Sequence, residues 1–326
     1  MPGTFAAFRA SIPQVFNTVW KKTNWRLLKL RLTLQGADEE ACIRAERRMR
    51  GKEQVRKLGR ADIAVVSFGK SGRTWVRVMI SRLYQQIHGL PENALLGFDN
   101  FHNMDKSIPR VFFTHDNYIG DYTGHTDSKA DFYGKKVVLL VRDPRDVAVS
   151  QFFQWMYRMK PEKKLLNDYP PHGTDLSIFD FVMHPGGGMP KVIDFMNLWA
   201  REMKNVKGIC VIRYEDMRAE PEKTLAKMAE FMEMGATADQ IHDAVEYASF
   251  ENLKKKEAAG SFRFSGGRMM PGDKSNPNSY KVRRAKVGGY RDYFEDEQVR
   301  AIDELMESTL DPVYGYRSSE LVDNKE

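Results

Sequence analysis

Ser67-Phe68-Gly69-Lys70-Ser71-Gly72-Arg73-Thr74-Trp75 joins a run of strand type to a run of helix type. Before it, Asp62-Ile63-Ala64-Val65-Val66 is short, apolar and β-branched, the pattern of a buried strand. After it, Trp75, Met79, Leu83 and Ile87 recur at helical spacing, with Val78 and Ile80 widening the stripe. The glycines, the lysine and the hydroxyls therefore lie in a tight strand-to-helix turn. Backbone N–H groups at a helix N-terminus lack intrahelical acceptors and attract anions. Lys70 adds a point charge and Arg73 a forked one. The stretch is a candidate site for a phosphate-like group; an ordinary glycine turn with a solvated lysine is the plainer alternative.

A nucleotide-kinase P-loop, GxxxxGK[ST], shares Gly69-Lys70-Ser71 but would need its leading glycine at position 64, which is Ala64. Positions 62–66 also read as strand, which leaves too few residues for that long cradling loop.

Working outward, 326 residues with 42% hydrophobic and 29% charged content suit one large α/β domain plus an extension. Cys42 and Cys210 make neither a disulfide framework nor metal-ligand spacing, so a reducing cytoplasm is expected. No apolar run approaches the roughly 18–20 residues of a membrane span, and no signal-peptide core opens the chain. The net charge of +7 is concentrated at the front: residues 1–60 hold 14 Lys/Arg against 5 Asp/Glu, and the remainder carries −2. A near-neutral body argues against a nucleic-acid partner. Residues 1–36 contain no acidic residue and interleave aromatic and basic side chains. Such a segment can lie on an anionic membrane face, or pack on the body with its lysines in water. Residues 37–60 read as a polar, charge-laced helix, a solvated spacer.

Three more strands are expected, at 110–114, 135–141 and 209–212, separated by helical patterns. The predicted fold is α/β, with a P-loop-NTPase-like central parallel sheet and helices on both faces. Pro144 and Pro221 suit first turns of helices, Thr237 and Gln240 a capping box, and the last helix runs over 295–310. Residues 158–190 read as an insertion or lid, and the Gly/Ser/Pro/Asn-rich residues 260–280 as a flap. Ligands of such sheets bind at the carboxyl ends of strands. There stand Lys70, His115, Arg142 and Tyr214, one per strand.

With these pieces in place, residues 60–315 resemble the cytosolic-type PAPS-dependent sulfotransferases, where PAPS is 3′-phosphoadenosine 5′-phosphosulfate. Four blocks match in order: Ser67–Trp75, the 5′-phosphosulfate loop; Val141-Arg142-Asp143-Pro144 through Ser150, the 3′-phosphate block; Tyr214-Glu215-Asp216-Met217; and Arg283-Arg284-Ala285-x-x-Gly288-Gly289-Tyr290 through Phe294. The resemblance implies that Lys70, Ser71, Gly72, Arg73, Thr74 and Trp75 hold the 5′ end of the nucleotide. Trp75 and Phe250 would sandwich adenine, and Tyr214 would bond the base. Arg142, Ser150, Arg283 and Arg284, with the Ala285 backbone, would grip the 3′-phosphate. It further implies His115 as general base toward an acceptor hydroxyl or amine and Lys70 as stabiliser of the leaving oxygen. PAPS would be the co-substrate, with no metal required.

The chain departs from the family pattern at three points. A lysine of the family's Lys-Thr-His block is Phe113, a threonine of the loop is Arg73, and the glycine of its Arg-Lys-Gly block is Ala285. Arg73 is a candidate to supply the missing charge. The dimer motif of the animal enzymes would fall on residues 291–300, where Glu295-Asp296 and Arg300 do not fit it. Two other readings stay open at this stage: a P-loop kinase of a small molecule, and a catalytically silent nucleotide- or membrane-binding protein. The acceptor, a small molecule, lipid or glycan, would be shaped by residues 88–110, 116–134 and 158–190 and the flap. Aromatics in and beside these stretches, among them Phe98, Phe101, Tyr118, Tyr122, Phe132 and Trp155, can line a pocket or simply pack.

Overall fold

The computed structural model describes residues 23, 25, 27–92, 94–258 and 286–316. Arg283, Arg284, Ala285, the 260–280 flap, most of segment 1–36 and the tail from 317 lie outside the described residues. Four strands, β1 (Ile63–Ser67), β2 (Val111–Thr114), β3 (Lys136–Val141) and β4 (Gly208–Arg213), form one sheet in the order β2-β1-β3-β4. All pairs are parallel, and Val65 lies beside Phe113 on one side and Val138 on the other. Each expected strand is present within a residue or so of its sequence bounds. β1 is buried at all five positions, as a central strand covered on both faces requires.

Strand alternation divides the interior into two cores. Ile63, Val65, Val138 and Leu140 face α2 (Arg73–His88), α5 (Pro221–Phe231) and α6 (Ala238–Tyr247) through Met79, Leu83, Leu225, Met228 and Ala244. Ala64, Val66, Leu139 and Val141 face α3 (Pro144–Tyr157), α4 (Met189–Glu202) and α7 (Asp296–Thr309) through Val147, Val192, Trp199, Ile302 and Met306. The helix starts follow local chemistry. Asp143 accepts from the Arg145 N–H ahead of Pro144, and Thr237 and Gln240 cap α6 reciprocally.

The helix expected as a solvated spacer is instead part of the body. This helix, α1 (Glu39–Arg60), buries Cys42, Glu46, Gly51 and Leu58. Gly51 lets it close on the Tyr118 backbone and on Tyr122, whose Cβ would be 2.8 Å from any Cβ added there. Arg47 pairs with Asp121 and Asp168 across that interface. Composition hid this contact, because the helix docks through a glycine and an ion-pair network, not an apolar stripe. Residues 158–190 are likewise packed, with Phe181 against Phe152 and Trp155 at ring distances of 5.5 and 5.0 Å. Among the aromatics named from the sequence as pocket candidates, Phe101, Phe132 and Trp155 are core residues.

The chain leaves β1 toward β2 on one side and leaves β3 toward β4 on the other. A crevice therefore opens at the carboxyl ends of β1 and β3, the switch point where ligands bind in such sheets.

Candidate active site

Between β1 and α2 only residues 68–72 remain, a five-residue turn. Ala64 sits fully buried inside β1, so the long loop of a kinase has no room to form. Lys70 adopts φ +73° and Gly72, the N-cap of α2, φ +87°. A Cβ on Gly72 would stand 2.8 Å from Tyr214 Cδ2 and 3.3 Å from Met217 Cε, so the position needs glycine for both conformation and space. Gly72 brings no side-chain cap to α2, the arrangement in which a helix N-terminus receives an external anion.

His115 follows β2 directly. Asp116, next in the chain, takes φ +56°; its N–H bonds Thr114 Oγ1 at 2.8 Å and its carboxylate meets Lys129 at 2.7 Å. This buried clasp turns the chain so that the imidazole crosses to β1. His115 Nδ1 lies 2.8 Å from the Ser67 carbonyl, which can only accept, so Nδ1 carries the proton. Nε2 is then the lone-pair nitrogen, and Arg73 Nη2 donates to it at 2.6 Å. Phe113, where the family has lysine, carries the buried Arg77 guanidinium 3.7 Å from its ring centroid. Arg77 also bonds the Leu96 carbonyl.

After β3, Arg142 lies over the Tyr214 ring at 4.2 Å and bonds the Lys70 carbonyl (3.4 Å), Asp146 (3.2 Å) and the Lys286 carbonyl (3.1 Å). Arg142 Nε is buried without a hydrogen-bond partner among the described residues. Asp146, one turn along α3, accepts from the Gly288 and Tyr290 N–H groups at 3.0 Å each, pinning the C-terminal segment beside Arg142. Burial pushes the Asp146 carboxyl up while Arg142 opposes it. Arg145 turns away to Asp143 and Asp303. Tyr214 meets Trp75 edge to face at 6.0 Å, and burial raises its phenol. Glu215 is pushed up by burial; it accepts from the Asp143 N–H and from Tyr316 Oη, a structural tie within the matching block.

One cavity of about 880 Å³ gathers Lys70, Gly72, Arg73, Thr74, Trp75, His115, Arg142, Ser150, Tyr214 and Phe250 on its wall. That is near the upper end of the roughly 300–1,000 Å³ typical of small-molecule sites. Ser71 is 2% exposed and lies beneath the wall. Sequence reasoning missed the far side, where Gln54 and Lys57 of α1 join Asn167, Tyr169, Lys191 and Phe195. Tyr118 alone of the six aromatics named from the sequence reaches the cavity. Among the described residues no group of three His, Cys, Asp or Glu side chains gathers as a metal site would require.

A parallel sheet with an anion-receiving turn at its switch point, flanked by arginines, defines an α/β nucleotide-binding protein of P-loop-like fold. The sulfotransferase domain family matches residues 60–313, and the chain belongs to that family. Over 279 residues the chain is 23% identical to Cytosolic sulfotransferase 10 of Arabidopsis thaliana, covering 76% of this chain and 78% of that protein. It is 23% identical to Sulfotransferase 2A6 of Rattus norvegicus, covering 76% and 84% of the two chains. The mouse sulfotransferase SULT7A1, solved with PAP, superposes with a TM-score of 0.50 at 23% identity over 79% of this chain and 89% of that one. Retinol dehydratase, solved with retinol and PAP, gives 0.50 at 18% identity over 76% and 80%.

Proposed function

We propose that this protein moves the sulfuryl group of PAPS to a hydroxyl or amine acceptor by in-line displacement. The observation that carries the reading is a single cavity in which the Lys70–Thr74 turn, Arg142 and a tautomer-fixed His115 meet. Arg142, with its partnerless buried Nε, and Ser150 are assigned to the 3′-phosphate, together with Arg283, Arg284 and the Ala285 backbone. Trp75 and Phe250 are assigned to the adenine, and Tyr214 to a hydrogen bond from its edge. A 3′-phosphate calls for such clustered arginine and hydroxyl donors. His115 Nε2 takes the acceptor proton while Nδ1 holds the Ser67 carbonyl, which orients the ring; positioned bases of this kind contribute about 10²–10⁴ in rate. Lys70 faces the charge that develops on the oxygen leaving sulfur. Placement and electrostatics carry such transfers, as in phosphoryl transfer.

The test is calorimetric titration with PAP and with ADP, without Mg²⁺. PAP should bind preferentially, and Arg142→Ala should weaken it by about 1.5–3 kcal/mol, the value of a charged hydrogen bond. Equal binding of PAP and ADP would remove the 3′-phosphate site and the proposal with it.

For the acceptor, the amide and ammonium groups of Gln54, Lys57, Asn167 and Lys191 on the far wall favour a molecule with polar groups beyond the reacting one, a glycan or lipid headgroup, over a plain phenol. On this reading α1, through Gln54 and Lys57, serves the same site as the 60–315 domain. Segment 1–36 is proposed to rest on anionic membrane surface from the cytoplasmic side. Leu27, Leu30 and Leu34, 57–79% exposed on one stripe, stand among Lys29 and Arg31. Sedimentation with phosphatidylserine vesicles should carry the protein down, and Leu30→Glu with Leu34→Glu should leave it in the supernatant. No helix among the described residues is long and apolar enough to cross a membrane.

A further inference from the structure

We infer that Arg73 is a positioning residue that masks the base: it occupies the His115 lone pair until an anion at the turn draws the guanidinium away. The inference rests on the sulfuryl-transfer reading for its purpose, and on geometry for its substance. His115 Nδ1 is committed to the Ser67 carbonyl at 2.8 Å, so the ring has one lone pair, on Nε2. Arg73 Nη2 fills it at 2.6 Å. A guanidinium nitrogen has no lone pair to offer in return, so Nε2 cannot accept an acceptor's proton while this bond stands. Masking and transfer exclude one another.

The same guanidinium is rooted at the first residue of α2, one step past Gly72, on the turn that presents its dipole to an anion. A phosphosulfate there offers charged oxygens, and a guanidinium bonds such oxygens more strongly than a neutral imidazole nitrogen. Donor binding and unmasking are therefore one event. After it the balance is ordinary: the acceptor O–H proton passes to Nε2, the acceptor oxygen bonds sulfur, and the bond from sulfur to the 5′-phosphate oxygen breaks. The products are a sulfate ester, PAP and an imidazolium that returns its proton to water. Without donor the base is idle, so the enzyme does not hold an activated acceptor with nothing to receive. The arginine stands one turn ahead of Arg77, whose guanidinium lies on the Phe113 ring. The cation at Phe113 is thus committed to packing, while Arg73 contacts His115.

Carbethoxylation by diethylpyrocarbonate, read at His115 by peptide mass spectrometry, tests this, because the reagent needs the imidazole lone pair. In the unliganded full-length protein, Arg73→Ala should raise the His115 rate about 10- to 100-fold over wild type, while His242, exposed and distant, stays constant. Arg73→Lys, which keeps charge but loses the fork, should fall between. PAP should then accelerate His115 modification in wild type relative to Arg73→Ala; taking the ratio cancels any steric shielding by the nucleotide. Equal His115 rates in the unliganded wild type and Arg73→Ala would overturn the mask, as would a PAP ratio of one when calorimetry shows both proteins saturated. Failure of PAP to bind wild type overturns the sulfotransferase reading instead, and the mask is then decided by the unliganded comparison alone.

Discussion

At the scale of single residues, position 113 shows how a departure from a family pattern can be absorbed locally. Lysine there would project an ammonium at the place where the Phe113 ring now holds the Arg77 guanidinium at 3.7 Å. Phenylalanine converts a like-charge clash into a cation–π contact, worth about 0.5–2 kcal/mol depending on desolvation. Restoring the family residue should therefore fail: Phe113→Lys is expected to lower stability by about 1–3 kcal/mol. Adding Arg77→Met, which removes the opposing charge, should recover most of the loss. Urea unfolding of the single and double variants measures this, and additive losses would refute the pairing. His115, Lys70 and Arg142 were legible in the sequence because each stands where a strand run stops, a local signal. Arg77 was not, because its role on α2 exists only through a ring on β2. Gly72 was legible as a turn, yet its second demand, clearance from Tyr214, depends on a contact 142 residues further along.

Among the elements, the strands were readable almost to the residue, since a central parallel strand is a continuous apolar run bounded by polar turns. Helix α1 was not. Its charge-laced sequence reads as a solvated surface, yet Gly51, the Arg47 ion pairs and the Gln54 side chain face the body or the cavity. Where α1 meets the short helix Pro161–Leu166, Lys163 pays for the packing: burial first, and then Arg50 of α1, push its amine from the ordinary 10.5 down to about 8. Between those values the unfolded chain holds a proton that the folded chain has released. Raising the pH strips that proton from the unfolded state, so stability should rise from about pH 8 upward. Above pH 10 the buried tyrosines reverse the trend, because burial raises Tyr84, Tyr169 and Tyr314 and the unfolded chain ionises first. Urea midpoints at pH 7.5 and 9.5 should therefore separate in wild type and separate less in Lys163→Gln, where Lys164, Lys191 and Lys256, also lowered by burial, keep the remainder. An unchanged separation in the variant would assign the effect elsewhere.

For the whole molecule, strand order decides how the reaction can proceed. Because β1 and β3 are neighbours while β2 and β4 lie outside them, the Lys70 turn and Arg142 sit together, with His115 to one side and Tyr214 to the other. The nucleotide groups, His115 and the α1 residues Gln54 and Lys57 thus line one cavity. A cavity of about 880 Å³ has room for donor and acceptor at once, and the Arg73–His115 contact ties exposure of the base to arrival of the donor. Both features fit a ternary complex and direct transfer, the route that the proposed function takes. A sulfated enzyme intermediate would instead let the donor half-reaction run alone, with PAP leaving before any acceptor arrived. Isotope exchange separates the two without knowledge of the acceptor. Adenine-labelled PAP incubated with unlabelled PAPS and enzyme becomes labelled PAPS only if sulfuryl can pass to the protein and back. Direct transfer predicts exchange no faster than in His115→Ala. Exchange that is rapid in wild type and abolished by that substitution would make His115 a nucleophile, and the single-cavity argument would have to yield to a two-step mechanism.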